Sequence, residues 1–396
     1  MRIAVFESII TTGGHEVDFD RLLIEELVVC GHEPILYVPE KFPFQHDYTI
    51  PIHYLQGCGV SYAGVTGLKK NWLSLVREYR RYQWFTQLYR EAAAGKFDAI
   101  IIPTSTYRYL KGLKRSPLKN SPVPVLFVMH GINPTEKPKV KAALSAFMAQ
   151  PQIQVAVIHC GGRLFPAANK QIQTIKPPTY KPRDLAIEAA AARQKAKAAT
   201  GQDELILGFF GQYRREKNLE AFLQLFLDCR FTRPVKCVIQ GATVDPADRD
   251  DFDRLIDKYG SYKEFQFIHK GLFGREWQEA ILAIDALVMP YAAPRYRYHW
   301  GGMLFTAIGF QKPVLLSDDI NPEVLDSYEI GLAFDATDSA ALKQALTEFV
   351  NTFDEQEPTY TEELERAAVD FAPNRFVQGV VQILTETTKE RMRHDS

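Results

Sequence analysis

The sequence predicts two doubly wound α/β domains that face each other across a cleft, and three observations carry that expectation. Short apolar runs alternate with longer amphipathic segments along most of the chain, the pattern left when crossover helices bury a parallel sheet on both faces. At 396 residues the chain exceeds one ordinary core and suits two domains of about 150–200 residues each. Near the middle, Lys176-Pro177-Pro178-Thr179-Tyr180-Lys181-Pro182 interrupts the series, because such a segment cannot run through a central strand or a helix interior.

The strands expected in the first half are Ile3–Glu7, Pro34–Val38, Ala99–Pro103, Val125–His130 and Val155–His159. Those of the second half are Ile206–Phe210, Val235–Gln240, Ala286–Met289 and Pro313–Leu316. Helical spacing of apolar residues marks Asp18–Cys30, Lys69–Ala94, Leu219–Asp228, Arg275–Ala283 and Ala340–Val350. After the prolines, the Ala/Lys/Arg-rich stretch Leu185–Ala199 favours helix and stops at Thr200-Gly201. The expected organisation is an N-terminal domain over 1–180, a second domain over 181–370, and a C-terminal helix over 371–396 that crosses back to the first. In sheets of this kind ligands bind outside the carboxyl ends of the strands, so the chemistry is expected in the cleft.

Composition removes several classes. The 47 basic and 48 acidic residues nearly cancel, so no global field recruits nucleic acid. Five cysteines, with no pair at CxxC spacing, read as free thiols in a reducing cytosol rather than a zinc or redox site. The run Ile3-Ala4-Val5-Phe6 is too short for a signal peptide, and no stretch reaches the roughly 18 apolar residues of a membrane helix. The expected location is the cytoplasm, with peripheral contact at the inner face of a membrane left open.

Two motifs carry chemistry. In Gly208-Phe209-Phe210-Gly211-Gln212-Tyr213-Arg214-Arg215-Glu216-Lys217-Asn218, Gly211 permits a sharp turn after a buried strand, and Arg214, Arg215 and Lys217 gather where a helix begins. A helix start already offers free N–H donors and about half a positive charge, so added cations suit a diphosphate. In the second motif a strand ends at Pro290, and the loop Arg295-Tyr296-Arg297-Tyr298-His299-Trp300 leads to Gly301-Gly302-Met303 and on to Thr306. Paired glycines at a helix start let a phosphate approach the backbone closely, while the aromatic residues have faces for a base or sugar.

On these residues Leu205–Phe334 resembles the nucleotide-sugar domain of GT-B glycosyltransferases of the large retaining, family-4-like group. Gly211 to Lys217 is similar to their Gly-Arg-x-x-x-x-Lys turn, and Pro313 to Val324 to their PV strand, loop and Pro-Glu-Val segment. Gly331-Leu332-Ala333-Phe334 resembles the strand that follows. The resemblance implies a GT-B architecture and metal-independent transfer of a sugar from a nucleoside diphosphate, UDP by default, with no separate cofactor. The implied acceptor is a glycan, a lipid-linked molecule or a protein, in the synthesis of bacterial surface polysaccharide or glycoconjugate. It also implies that Lys217 contacts the diphosphate.

The sequence departs from the family where Gln212 replaces an arginine, and where Tyr298 and Thr306 stand at the two glutamates of the Glu-x7-Glu signature. The donor sugar and the stereochemical outcome therefore stay open at this stage. So do a non-catalytic nucleotide- or glycan-binding partner of a transferase and a sugar-nucleotide epimerase.

The first half supplies the catalytic candidates. His130 ends a buried strand at the cleft and is suited to orienting a donor or moving a proton. His15 and Glu16, after Gly13-Gly14, are candidate bases near the acceptor. No aspartate pair has DxD spacing, and Asp318-Asp319 is accounted for by the loop after the PV strand, so no essential metal is expected. Segment 69–90 is aromatic and basic, which an ordinary helix covering a sheet accounts for first and an interfacial helix on acidic lipid second.

Overall fold

The computed structural model describes residues 1–10, 16–44, 48–61, 65–162, 164–165, 170–182 and 204–395. The expected helix over Leu185–Ala199, together with His15, lies outside the described residues.

The first sheet consists of β1 (Arg2–Phe6), β2 (Glu33–Glu40), β3 (Ile52–Cys58), β4 (Ala99–Ile102), β5 (Val125–Met129), β6 (Ile153–Ile158) and β7 (Ile172–Ile175), in the order β3-β2-β1-β4-β5-β6-β7. Every pairing is parallel. The second sheet orders β8 (Leu205–Phe209), β9 (Val235–Gln240), β10 (Phe265–Ile268), β11 (Ala286–Met289), β12 (Val314–Ser317) and β13 (Gly331–Phe334) as β10-β9-β8-β11-β12-β13, again all parallel. Two doubly wound sheets in one chain give the GT-B architecture. The strand order reverses between β1 and β4 in one sheet and between β8 and β11 in the other, which are the crevices where such folds hold ligands.

Three strands were not expected from the sequence: β3, β7 and β10. Each stands at a sheet edge. An edge strand is only half covered, so polar residues such as His53, Gln173 and Gln266 interrupt the apolar run that reveals a central strand.

Helices in the first half are α1 (Glu16–Val29), α2 (Gly67–Ala93), α3 (Tyr107–Leu113) and α4 (Lys137–Leu144). Those of the second are α5 (Leu219–Asp228), α6 (Pro246–Tyr259), α7 (Gly274–Leu282), α8 (Gly302–Gly309), α9 (Pro322–Leu325), α10 (Ser339–Asn351), α11 (Phe353–Asp370) and α12 (Pro373–Asp395). Several starts are visible in the local chemistry. Asp245 accepts from Ala247 N at 2.9 Å with Pro246 in the first turn, and Asp338 accepts from Ala340 N at 2.8 Å. Helix α11 escaped sequence reading because Pro358 lies inside it.

The two halves are fastened together. Helix α12 packs along α1 and reaches β5 and β7 of the first sheet. Phe376 of α12 meets Phe19 of α1 at 5.6 Å between ring centroids, and Arg391 donates to the Pro122 carbonyl. A second fastening joins the loop after β5 to the loop before α8. Gly131 bridges His299 in antiparallel fashion, Ile132 N donates to Tyr298 O at 3.1 Å, and Trp300 N donates to His130 O at 2.7 Å. Gly131 has a φ of +125°, and a Cβ there would stand 2.2 Å from Tyr298 O, so only glycine fits. Among the described residues no helix is long and apolar enough to cross a membrane.

Candidate functional site

The first of the two motifs, the turn after β8, lies at the switch point of the second sheet. Gly211 takes a φ of +105°, open to glycine and strained for other residues, and its N–H donates to Gln240 Oε1 at 2.9 Å. The chain then forms a short 3-10 turn over Arg215–Lys217, with Asn218 left-handed at φ 57° before α5 begins at Leu219. The expected placement of the three cations on the helix start is thus corrected. They precede α5, in the turn before it, where Arg214 and Lys217 reach the cavity and Arg215 turns outward.

Lys217 points inward and is 7% exposed. Its Nζ sits 4.6 Å from the centroid of Tyr291, just beyond β11, and 5.7 Å from that of Phe209 at the end of β8. Burial, reinforced by Arg214, pushes its pKa down to about 7. Arg214 also reaches the cavity. Arg215 does not: it is two-thirds exposed and its Nε lies 3.4 Å from Asp251 Oδ2, so its charge is spent away from the cleft. The expectation that Arg215 faces a diphosphate is corrected accordingly.

The second motif arrives at the same point. A Cβ on Gly211 would lie 3.5 Å from Lys217 Nζ and 3.8 Å from Met303 Sδ, so the turn after β8 and the start of α8 converge. Gly301 N donates to Asn321 Oδ1 at 3.0 Å, and Asn321 Nδ2 donates to His299 O at 3.1 Å, which orders the entry to α8. Thr306 is buried and donates from Oγ1 to Gly302 O at 2.9 Å within its own helix. Tyr298 contributes backbone to the fastening between halves and does not line the cavity, whereas His299 does.

These elements enclose a cavity of about 370 Å³ between the two sheets. Its second-sheet wall presents Gly211, Arg214, Lys217, the Gly301-Gly302 helix start and Met303; its opposite wall is the first turn of α1, with Glu16 and Asp18. One wall is cationic and the other is carboxylate-bearing, while Gly301 N and Gly302 N are taken up by Asn321 Oδ1 and Trp300 O. That polarity suits a ligand with an anionic end and a hydroxyl-bearing end.

His130 stands beside the cavity, in the fastening. Its Nε2 donates to Pro103 O at 2.9 Å, and its ring lies 4.5 Å from Phe19 and 5.4 Å from Trp300. Of the predicted bases, Glu16 lines the cavity.

The structure adds residues that the sequence left unremarked. Gln240, buried at the carboxyl end of β9, holds the Gly211 turn through Oε1 while its Nε2 donates to Lys270 O. Tyr291 lines the cavity at 5% exposure, and its hydroxyl has no hydrogen-bond partner among the described residues. Glu216 pairs with Arg295, tying the cationic turn to the loop after β11. Glu7 directly follows β1 with its carboxyl buried, Oε1 accepting from Ile9 N at 2.6 Å. Burial, with Glu16 nearby, pushes Glu7 up to about 8. A polar residue at the carboxyl end of an apolar strand is the signal that would have found Gln240 and Glu7.

Comparison with known proteins agrees with this geometry. Residues 191–362 match the family model described as glycosyl transferases group 1. No curated protein matches the sequence. Among solved structures, HepE of Anabaena in complex with UDP and glucose is 14% identical with a TM-score of 0.67, over 98% of this chain and 100% of that one. A glycosyltransferase from Rickettsia africae gives 12% identity and a TM-score of 0.68, over 98% of each chain. The UDP-forming α,α-trehalose-phosphate synthase of Burkholderia xenovorans, in complex with glucose-6-phosphate, gives 10% and 0.68, over 97% of this chain and 99% of that one. At such identities the likeness establishes the shared GT-B fold.

Proposed function

We propose that the chain, whose residues 191–362 match the group 1 glycosyl transferase model, moves a sugar from a UDP-linked donor to a glycan, lipid-linked or protein acceptor. The observation that carries the reading is the two-signed cavity, with Lys217, Arg214 and the α8 start on one wall and Glu16 on the other. In transfer, the bond between the sugar's anomeric carbon and the diphosphate oxygen breaks, and the acceptor oxygen forms the new bond and loses its proton. Negative charge grows on the departing diphosphate, and Lys217 and Arg214 are the cavity cations that this reading sets against it. Glu16 lines the same cavity, which supports a role in taking the acceptor proton or holding sugar hydroxyls. That HepE is recorded with UDP and glucose supports the choice of base. Five free cysteines fit a reducing cytoplasm, and surface polysaccharide or glycoconjugate synthesis is the setting we propose.

The test is a binding screen of UDP-, GDP- and dTDP-sugars, followed by turnover with the donor that binds. Tight UDP-sugar binding with transfer to an added acceptor is the expected result. Absence of binding by every nucleotide sugar would refute the site. Binding without turnover on any acceptor would favour a non-catalytic partner, a reading to which the replacement of both signature glutamates, by Tyr298 and Thr306, lends weight.

A further inference from the structure

We propose that the outer helical layer of the first sheet is a docking surface for an anionic lipid bilayer, with α2 lying along the headgroups. Helix α2 has two apolar faces. Trp84, Phe85, Leu88 and Ala92 enter the core. Leu68, Trp72, Leu75, Tyr79 and Tyr82 are 43–88% exposed. At 100° per residue these five fall within an arc of about 80°, opposite the buried face. Covering the sheet needs only the buried set, so the outer stripe is surplus to folding and forms a contiguous apolar strip.

Charge selects the occupant. Residues 66–150 contain 15 Lys and Arg against 4 Asp and Glu, in a chain whose totals are 47 and 48. Helices α2, α3 and α4 cover one face of the sheet, since Trp84, Leu110 and Val140 share a core cluster, while α1 packs on the other face. Their solvent sides therefore form one surface, carrying exposed Lys69, Lys70, Arg108, Lys111, Lys139 and Lys141. Arg108, Lys111 and Lys139 converge on the Tyr107 ring at 5.9, 5.2 and 5.6 Å. An anionic surface laid over this cluster would gain attraction from all three cations at once. A nucleic acid offers no apolar layer for Leu68, Trp72 and Leu75, whereas the boundary between headgroups and acyl chains accepts both the stripe and its flanking cations.

Each of these helices follows a parallel strand, so its first turn lies at the carboxyl edge of the sheet, beside the cleft. Docking through α2 therefore brings the cleft mouth to the bilayer. Delivery of a lipid-borne acceptor there rests on the transferase reading; docking itself does not.

The experiment is flotation of the full chain with phosphatidylcholine vesicles, with and without phosphatidylglycerol, across a salt series. The chain is expected to float with the anionic vesicles alone, and less as salt rises. Lys69→Gln with Lys70→Gln should lower the partition coefficient about 25-fold, at about fivefold per cation. Trp72→Ser with Leu75→Ser should lower it at least about tenfold. Unchanged melting and UDP-glucose binding in both variants would show that the fold is intact. Failure of the wild type to float, equal flotation with neutral vesicles, or wild-type partition of the Trp72/Leu75 variant overturns the proposal. Capture of an acidic protein with vesicles left unbound also overturns it, assigning the surface to a protein. Flotation without any nucleotide-sugar binding would leave docking standing and refute the transferase reading.

Discussion

On the proposed reading Lys217 would couple nucleotide binding to pH, and that coupling is open to direct measurement. Its amine is buried and held at a pKa of about 7 rather than 10.5, mainly by loss of solvent. A diphosphate arriving at Nζ favours the ammonium, so above pH 7 binding must draw in a proton. At pH 8 an amine of pKa about 7 is roughly nine-tenths neutral, so binding should take up about 0.9 of a proton. Affinity should fall with rising pH until the worth of the charged hydrogen bond is exhausted, at about 1.5–3 kcal/mol, or about 10- to 150-fold in Kd. UDP-glucose is the better ligand here, because the terminal phosphate of UDP titrates near pH 6 while a diphosphate diester does not.

The stability consequence has the opposite sign. The unfolded lysine binds its proton up to pH 10.5 and the folded one only to about 7, so this group makes folding more favourable as pH rises across that window. At 1.36 kcal/mol per unit the folded state forgoes up to about 5 kcal/mol at pH 7, part of it returned by Tyr291. Lys217→Met should therefore raise the melting temperature at pH 7 while abolishing both the proton uptake and the pH dependence of binding. Calorimetric titration in two buffers of different ionisation enthalpy measures the uptake. Uptake near zero in the wild type, or unchanged in Lys217→Met, would refute the assignment.

Other expectations are simpler. Glu7 is held protonated to about pH 8 against 4.5 when unfolded, so it stabilises the fold below pH 4.5 and that contribution drains away as pH rises to 8; Glu7→Gln should flatten the pH dependence of urea midpoints and stabilise the protein by a few kcal/mol above pH 8. Trp300→Ala removes the ring that meets Phe19, His130 and Tyr180 at the junction of the two halves, and should cost about 3–5 kcal/mol by denaturant titration. Arg215→Ala, unlike Arg214→Ala, should leave UDP-glucose affinity within about twofold, since Arg215 is committed to Asp251 at the surface. Transfer should persist in EDTA; loss of activity restored by magnesium or manganese would overturn a metal-independent reaction.

The central strands were legible because each is buried on both faces and reads as uninterrupted Val, Ile and Leu, as in Val125–Met129. Edge strands lack that signature, and β3, with His53, Tyr54 and Gln56 exposed, resembles a polar loop until its pairing with β2 is seen. At the site, backbone requirements were the readable part: Gly211 and Gly301-Gly302 mark where a chain must turn or be approached closely. Direction was not. Nothing in Arg214-Arg215-Glu216-Lys217 says that Lys217 turns inward and Arg215 outward, because that depends on the 3-10 turn and on Asp251, which is distant in sequence. Partners contributed by other strands, such as Gln240 and Tyr291, were hidden for the same reason.

The backbone fastening between residues 130–132 and 298–300 has a mechanical consequence. The two hydrogen bonds of this bridge would resist shear more than rotation, and so would act as an axle for any swing of the halves. The entry to α8 sits on that axle, and the α1 edge of the cavity, with Glu16, swings at a radius from it. Opening the cleft would then displace the carboxylate wall while leaving the cationic wall still, so on the proposed reading a nucleotide could stay seated while acceptor and product exchange.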